Sequence, residues 1–176
     1  HTERIQLLGN KIDLIIVDYA DILRPAQSER NSNSYQEAGG IYEELRSVAG
    51  ELQVPIWSAS QSNRAAMDAD IIEANNIADS YRKIMIADFV MSLSRKVADK
   101  TNNTARFHVI KNRFGPDGLT FPSKMNAGSG QIEIYSESSR EGMAVQSEMT
   151  DGENQVKNMI KNKWNAHSSS KDDDSY

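Results

Sequence analysis

The apolar positions of the chain fall into two kinds of run. Leu14, Ile15, Ile16 and Val17 form an unbroken, β-branched-rich stretch ending at Asp18, the pattern of a strand buried on both faces of a parallel sheet. Beyond it, Ala38, Ile41, Leu45, Val48 and Leu52 recur at alternating spacings of three and four, so they lie along one face of a helix. Ser34 with Glu37 supplies a capping-box start, and Pro55 marks the stop. Gly39 and Gly40 weaken the first turns by roughly 1 kcal/mol each. The stretch PIWSASQSNR predicts a short second strand with a polar end, and residues 62–83 predict a loop with some helix. Phe89–Leu93 predicts a third strand, ARFHVIK a fourth and GQIEIYS a last one. The intervals between these last strands are too short for helical crossovers. The expected fold is therefore α/β: a mostly parallel sheet flanked by helices, with an antiparallel edge.

Past Ser136 the apolar content falls, and Ser, Asn, Glu, Lys and Asp dominate. Residues 1–135 are read as the folded domain and 136–176 as a polar, largely disordered tail. Within that tail Val156, Met159, Ile160 and Trp164 would share one side of a short helix over Gln155–Trp164, suited to docking on a partner or on the domain itself.

Composition narrows the class. The chain of 176 residues is long enough for one domain with a core, and contains no cysteine, which excludes disulfides and thiolate metal sites and fits a cytoplasmic setting. Its three histidines lack metal-ligand spacing. No apolar run approaches the ~20 residues needed to cross a bilayer. The net charge of −5 argues against non-specific nucleic-acid binding, though not against a local basic groove. The chain opens on His1, and a strand-like run follows almost at once, so it is read as a fragment whose beginning is missing.

The chemistry gathers where strands end. In open α/β sheets ligands sit beyond the carboxyl ends of the strands, and this sequence places Asp18, Gln61, Lys111 and Arg113 there. A carboxylate, an amide and two cations are the parts of a nucleoside triphosphate site. Asp18 could hold Mg²⁺ directly or through water, and Gln61 could orient a water or sense a γ-phosphate. Lys111 and Arg113 are two apart on a strand, so they share a face about 6–7 Å from each other. That fork either holds an anion or is a solvated strand end beside the GPDG turn. Each piece alone is weak; the order and spacing of the set carry the weight.

The segments LIIVDY, EELRSVAGELQVPIWSASQSNR, NIADS and IKNRFGPDG together resemble the RecA-like (P-loop NTPase) motor domain of DnaB-type hexameric replicative DNA helicases, especially those of T-even-like phages. The resemblance covers roughly residues 12–135. It implies an ATP- and Mg²⁺-dependent 5′→3′ DNA helicase acting as a homo-oligomeric, hexameric ring on single-stranded DNA, in the cytoplasm of a phage-infected bacterial host. A primase or a helicase loader is the further partner class it implies. By resemblance Asp18 is the Walker B carboxylate and metal ligand, and Gln61 the sensor linking nucleotide state to DNA. Lys111 and Arg113 are then the arginine-finger fork supplied to the neighbouring subunit's ATP, aimed by the turn at Gly115, Pro116 and Gly118. Residues 64–82 correspond to the channel-lining loop, with Arg64, Asp79, Ser80 and Arg82 as DNA-binding positions. One departure stands out. NIADSYR replaces the DLRESGS of cellular members, so Ala78 stands where an arginine often sits, and Arg82 or the backbone around Ser80 would serve instead.

No GxxxxGK[ST] motif occurs in these residues; GGIYEEL and NAGSG are the nearest glycine clusters and lack its lysine and hydroxyl. The family's phosphate loop and catalytic glutamate lie upstream of the Walker B strand, so the 176 residues alone are expected not to hydrolyse ATP. Two other readings compete: another RecA-fold ATPase, such as a recombinase or a regulatory ATPase, and a non-enzymatic α/β interaction module.

Overall fold

The computed structural model describes residues 2–25, 34–63, 69–77 and 81–169. The chain divides into two units, one of His1–Ala66, Glu73–Val90 and Lys111–Pro116, the other of Met67–Ile72, Met91–Ile110 and Asp117–Tyr176.

The first unit opens with α1 (Thr2–Leu7) and β1 (Ile15–Val17), followed by a 3-10 turn at Ala20–Ile22. Next come α2 (Ser34–Leu52), β2 (Ile56–Ser58), a second 3-10 turn at Ala74–Asn76 and α3 (Tyr81–Ile86). Strands β1 and β2 are parallel, in the register Ile15↔Ile56, Ile16↔Trp57 and Val17↔Ser58. The expectation that β1 is buried on both faces is corrected. Ile15 and Val17 are half-buried while Ile16 is 72% exposed, the alternation of a strand covered on one side. On α2 the expected stripe is recovered in part: Ile41 is buried, Leu45 and Leu52 are half-buried, and Val48 lies nearer solvent. The side chains of Ser34 and Glu37 lie outside the described residues. The helix stops where Gln53 turns left-handed at φ 54°, and the buried Val54 donates its N–H to Ala49 O at 3.1 Å. Gly39, predicted only to weaken α2, has a packing role. A Cβ there would meet Arg82 Cδ at 2.6 Å, so the glycine lets the Arg82 side chain cross the helix toward Glu43 one turn further on.

The second unit holds most of β3 (Phe89–Ser94) and of β4 (Thr104–Asn112), with α4 (Val97–Asn102) between them, then β5 (Thr120–Asn126), β6 (Gln131–Ile134) and α5 (Arg140–Ser169). The sheet order is β3-β4-β5-β6, with β4/β5 and β5/β6 antiparallel. Antiparallel pairing thus extends further than the expected edge, because β5 adds a strand that Pro122 disguised. The buried Pro122 pairs opposite Arg106, and its carbonyl accepts from Tyr135 N at 3.0 Å, so its missing N–H costs the ladder little.

The expected disordered tail is also corrected. Instead of a short helix over 155–164, α5 runs for 30 residues. Its start is fixed by Ser139, whose Oγ accepts from Gly142 N–H at 2.9 Å and donates to Ser136 O at 2.8 Å. Gly142, Val145, Met149 and Gly152 are buried at spacings of three and four, facing α4 and β5. An ionic network reinforces the packing. Glu153 on α5 accepts from Arg106 Nη2 at 2.7 Å and pairs with Lys96 at 3.3 Å, and Arg106 reaches Asp99 at 2.6 Å. Beyond it Met159, Ile160 and Trp164 remain exposed.

Candidate functional site

The loop that follows β1 is locked to β2 by one hydroxyl. Ser58 Oγ accepts from Ala20 N–H at 2.8 Å and donates to Val17 O at 3.0 Å, fixing the backbone on both sides of Asp18. Asp18 itself is exposed at the carboxyl end of β1. Gln61 stands past the corresponding end of β2, and its Nε2 donates to Tyr19 Oη at 3.3 Å. The predicted acid and amide are therefore brought to one end of the parallel pair, linked through the neighbour of the acid.

Behind them lies a polar cluster with no counterpart in the sequence reading. Asp21 Oδ1 accepts from Lys83 Nζ and from Tyr42 Oη, each at 2.8 Å, while Oδ2 accepts from Ser60 Oγ at 2.8 Å. Lys83 Nζ also donates to Ser60 Oγ at 3.3 Å and sits 5.5 Å from the centre of the Tyr42 ring. Lys83 is only 4% exposed. Burial pushes the Asp21 carboxyl up, but the bonds from Lys83, Tyr42 and Ser60 together outweigh it and hold the group below the ordinary 3.8. Burial and then the adjoining Asp21 push the Tyr42 hydroxyl well above its usual range.

The two cations of the fork are tied differently from each other. Strand β4 ends at Asn112, so Arg113 already belongs to the turn. Lys111 Nζ donates to Ile84 O at 2.8 Å and Met85 O at 2.9 Å, capping the carbonyl end of α3. Burial, then the nearby Arg113, lowers the Lys111 ammonium below the usual lysine value. Arg113 meets Asp88 through Nε at 3.0 Å and through its backbone N–H at 2.9 Å to Asp88 O. Arg46 of α2 reaches the same carboxylate oxygen at 3.0 Å and also donates to Ile86 O. Two guanidinium groups thus share one carboxylate, while Lys111 and Arg46 hold three carbonyls at the end of α3, beside a shallow groove lined by Glu43, Arg46, Ser47, Met85, Ile86 and Arg113. The fork is an anchored cluster, not a pair of solvated prongs.

Of the positions expected to meet DNA, Arg64, Asp79 and Ser80 lie outside the described residues. Arg82 on α3 pairs with Glu43 of α2 at 2.7 Å. The residues missed in the sequence are Asp21, Tyr42, Ser60, Lys83, Asp88 and Arg46. Asp21 and Lys83 are 62 positions apart, so only the folded topology joins them. Arg46 lies within EELRSVA, a segment that carried the resemblance but no assigned role.

Known proteins agree with this architecture. The solved ATPase domain of G40P superposes with a TM-score of 0.64 at 22% identity, covering 74% of this chain and 48% of that one. A DnaB-like replicative helicase solved for its interactions with primase gives 0.63 at 21% identity, covering 74% and 33%. The chain thus has the expected α/β, RecA-like fold. The DnaB-like replicative helicase of Enterobacteria phage T4 is 31% identical over 103 residues, 58% of this chain and 22% of that protein. The replicative DNA helicase DnaB of Buchnera aphidicola is 31% identical over 147 residues, 73% of this chain and 30% of that protein. The chain therefore spans less than a third of the length of either relative. The family described as DnaB-like helicase C terminal domain matches residues 2–126, well over half of the chain, and the chain belongs to that family.

Proposed function

We propose that the chain is part of an ATP-dependent replicative DNA helicase, a ring of like subunits that unwinds duplex DNA by moving 5′→3′ along one strand. One observation carries this reading: Asp18 and Gln61 stand at the carboxyl ends of hydrogen-bonded parallel strands, linked through Tyr19, in a chain of this family.

The residues present fit Mg²⁺ with a triphosphate. Asp18 is exposed at a strand end, and among the described residues no three acidic or histidine side chains form a metal cage. That donor set suits Mg²⁺, which keeps several waters and takes one or two carboxylates together with phosphate oxygens. When bound, the ion and nucleotide supply the phosphoryl chemistry. Gln61, steadied by Tyr19, would orient the attacking water or sense the terminal phosphate. Lys111 and Arg113 would serve ATP held by a neighbouring subunit, lysine as a point charge and arginine through its planar fork. The bond to Asp88 engages Nε of Arg113, which sets the direction of the guanidinium. Arg64, Asp79, Ser80 and Arg82 would line the channel, with Arg82 also steadied by Glu43. A primase or a loader is the further partner class, and the cytoplasm of a phage-infected bacterium the setting. Among the described residues no helix is long and apolar enough to cross a membrane.

Substituting Arg113→Ala in the full-length protein tests this. DNA-stimulated ATP hydrolysis should fall by about 10³-fold or more, while a fluorescent ATP analogue still binds. Unchanged turnover in that variant would sink the motor reading, and ATP hydrolysis by the 176-residue chain alone would show that the active site has been misplaced.

A further inference from the structure

A buried lysine on a short helix calls for explanation, because removing its charge from water is costly and a well-packed apolar pair often does as well for stability. Lys83 is that residue, and its partners are distributed in a telling way. Asp21 lies three residues past Asp18, in the 3-10 turn that follows β1. Ser60 immediately precedes Gln61. Tyr42 belongs to α2, and Lys83 follows Arg82 on α3, directly after the segment 64–82 to which the proposed function gives DNA. The hydrogen bonds form a closed chain. Lys83 donates to Ser60 Oγ, Ser60 donates to Asp21 Oδ2, and Asp21 Oδ1 accepts from Lys83. No member can move far without dragging the other two. Charged hydrogen bonds of this kind are directional as well as strong, which an apolar contact is not.

We propose that Lys83 is a positioning residue which, through Asp21 and Ser60, sets Asp18 and Gln61 according to the position of α3, and so couples DNA contact to ATP turnover. The inference rests on the helicase reading above and deepens it. A displacement of α3 by a bound strand would be carried by Lys83 to the two strand ends that face the nucleotide. Misplacing catalytic groups by about 1 Å can cost roughly 100-fold in rate, so a linkage of this length is sufficient to gate the reaction. The simpler alternative is a tether that only holds α3 in place. The two differ in what happens when both charges are removed together.

The experiment uses the full-length protein carrying Lys83→Met, Lys83→Arg, or Asp21→Asn with Lys83→Met. Steady-state ATP hydrolysis is measured with and without oligo-dT, alongside thermal unfolding. In the Lys83→Met variant the kcat with oligo-dT should fall roughly 10- to 100-fold while the KM for ATP stays near wild type. Lys83→Arg should recover part of the loss. The double variant buries no unpaired charge, so its Tm should return to the wild-type value while DNA stimulation stays low. Stimulation that returns together with Tm in the double variant overturns the coupling role and leaves a structural tether. Wild-type stimulation in a folded Lys83→Met protein does the same. If the single variant does not fold, the double variant decides alone. A wild-type protein with no DNA-stimulated hydrolysis would instead remove the helicase reading itself, so the two failures are distinguishable.

Discussion

Replacing Asp99 by alanine should destabilise the protein by about 3–5 kcal/mol, the usual cost of breaking a buried ion pair by removing one partner. The figure follows from what the carboxylate holds. Asp99 is 0% exposed and accepts three hydrogen bonds: from Thr104 Oγ1 at 2.7 Å, Arg106 Nη1 at 2.6 Å and Lys96 N–H at 2.8 Å. Bonds to a charged group are worth roughly 1.5–3 kcal/mol each, so their simple sum would run from the top of the predicted range to well beyond it. The sum overcounts, because Arg106 keeps Glu153 at 2.7 Å after Asp99 is gone. Asp99→Asn preserves the shape and one good acceptor while removing the charge, and should cost about 1–3 kcal/mol. Glu153 is 22% exposed, and Glu153→Gln should cost about 1 kcal/mol or less, since water screens part of its pairing. Urea denaturation followed by circular dichroism at the helical band gives the three values on one scale. The reasoning fails if Asp99→Ala unfolds no more easily than Glu153→Gln, for the site could not then be as dry or as fully paired as described.

Gly142→Ala tests the start of α5. Alanine should gain about 1 kcal/mol of helix propensity, but its Cβ would collide with the backbone oxygen of Ser136, and overpacking of that kind costs about 1–3 kcal/mol. A lower Tm is expected, and a higher one would show that the turn at Ser136 yields. The Asp21 carboxyl offers a test by pH. Because its folded value is depressed, its contribution to stability is complete above the unfolded value near 3.8 and is lost as pH falls through the lower folded value. In a carboxyl-carbon NMR titration Asp21 should therefore titrate below 3.8 in the wild type, and at a higher pH than that in Lys83→Met, where the Lys83 bond that opposes burial is gone. An Asp21 that titrates alike in both proteins would mean that Lys83 is not its partner in solution.

The elements visible in the sequence are those whose burial is carried by large apolar side chains at regular spacing. The stripe through Ile41 and Leu45 and the alternation of β4 are of this kind, and the unbroken run Leu14–Val17 marks β1 although only one of its faces is covered. The elements that escaped use other means. Strand β5 contains a proline whose carbonyl alone serves the ladder. Helix α5 lies tight against its own leading turn through Gly142 and against α4 through Gly152, residues that any propensity scale counts against a helix. In the last of these, a Cβ at Gly152 would press on Asn102 and Ala98 of α4. A small residue that permits close approach is indistinguishable in sequence from one that permits a turn. Helix α4 is only six residues long, too short to register a period, and is set instead by Asn103 in the left-handed region at φ 54°.

The same division runs through the candidate site, and it explains why half of it was legible. The position of Asp18 and Gln61 at one end of the parallel pair is legible because strand ends in an α/β sheet are predictable places, and the topology needs only the two runs before them. Asp21 was passed over although it is three residues from Asp18, because nothing local distinguishes a solvated aspartate from one that holds a buried lysine 62 positions away. Lys111 and Arg113 were recognised as a pair, yet their surroundings were misjudged for the same reason: the carbonyls of Ile84 and Met85 and the carboxylate of Asp88 come from elements that only folding brings near. A cation that caps a helix end is not simply waiting for an anion. Its ammonium is partly desolvated and bonded to carbonyl dipoles, so a phosphate arriving there would replace bonds instead of creating them where none existed. The bonds already present to these carbonyls and to Asp88 offset the repulsion among the three gathered cations. Asp88, Arg46 and the end of α3 therefore belong to any physical account of how Lys111 and Arg113 act.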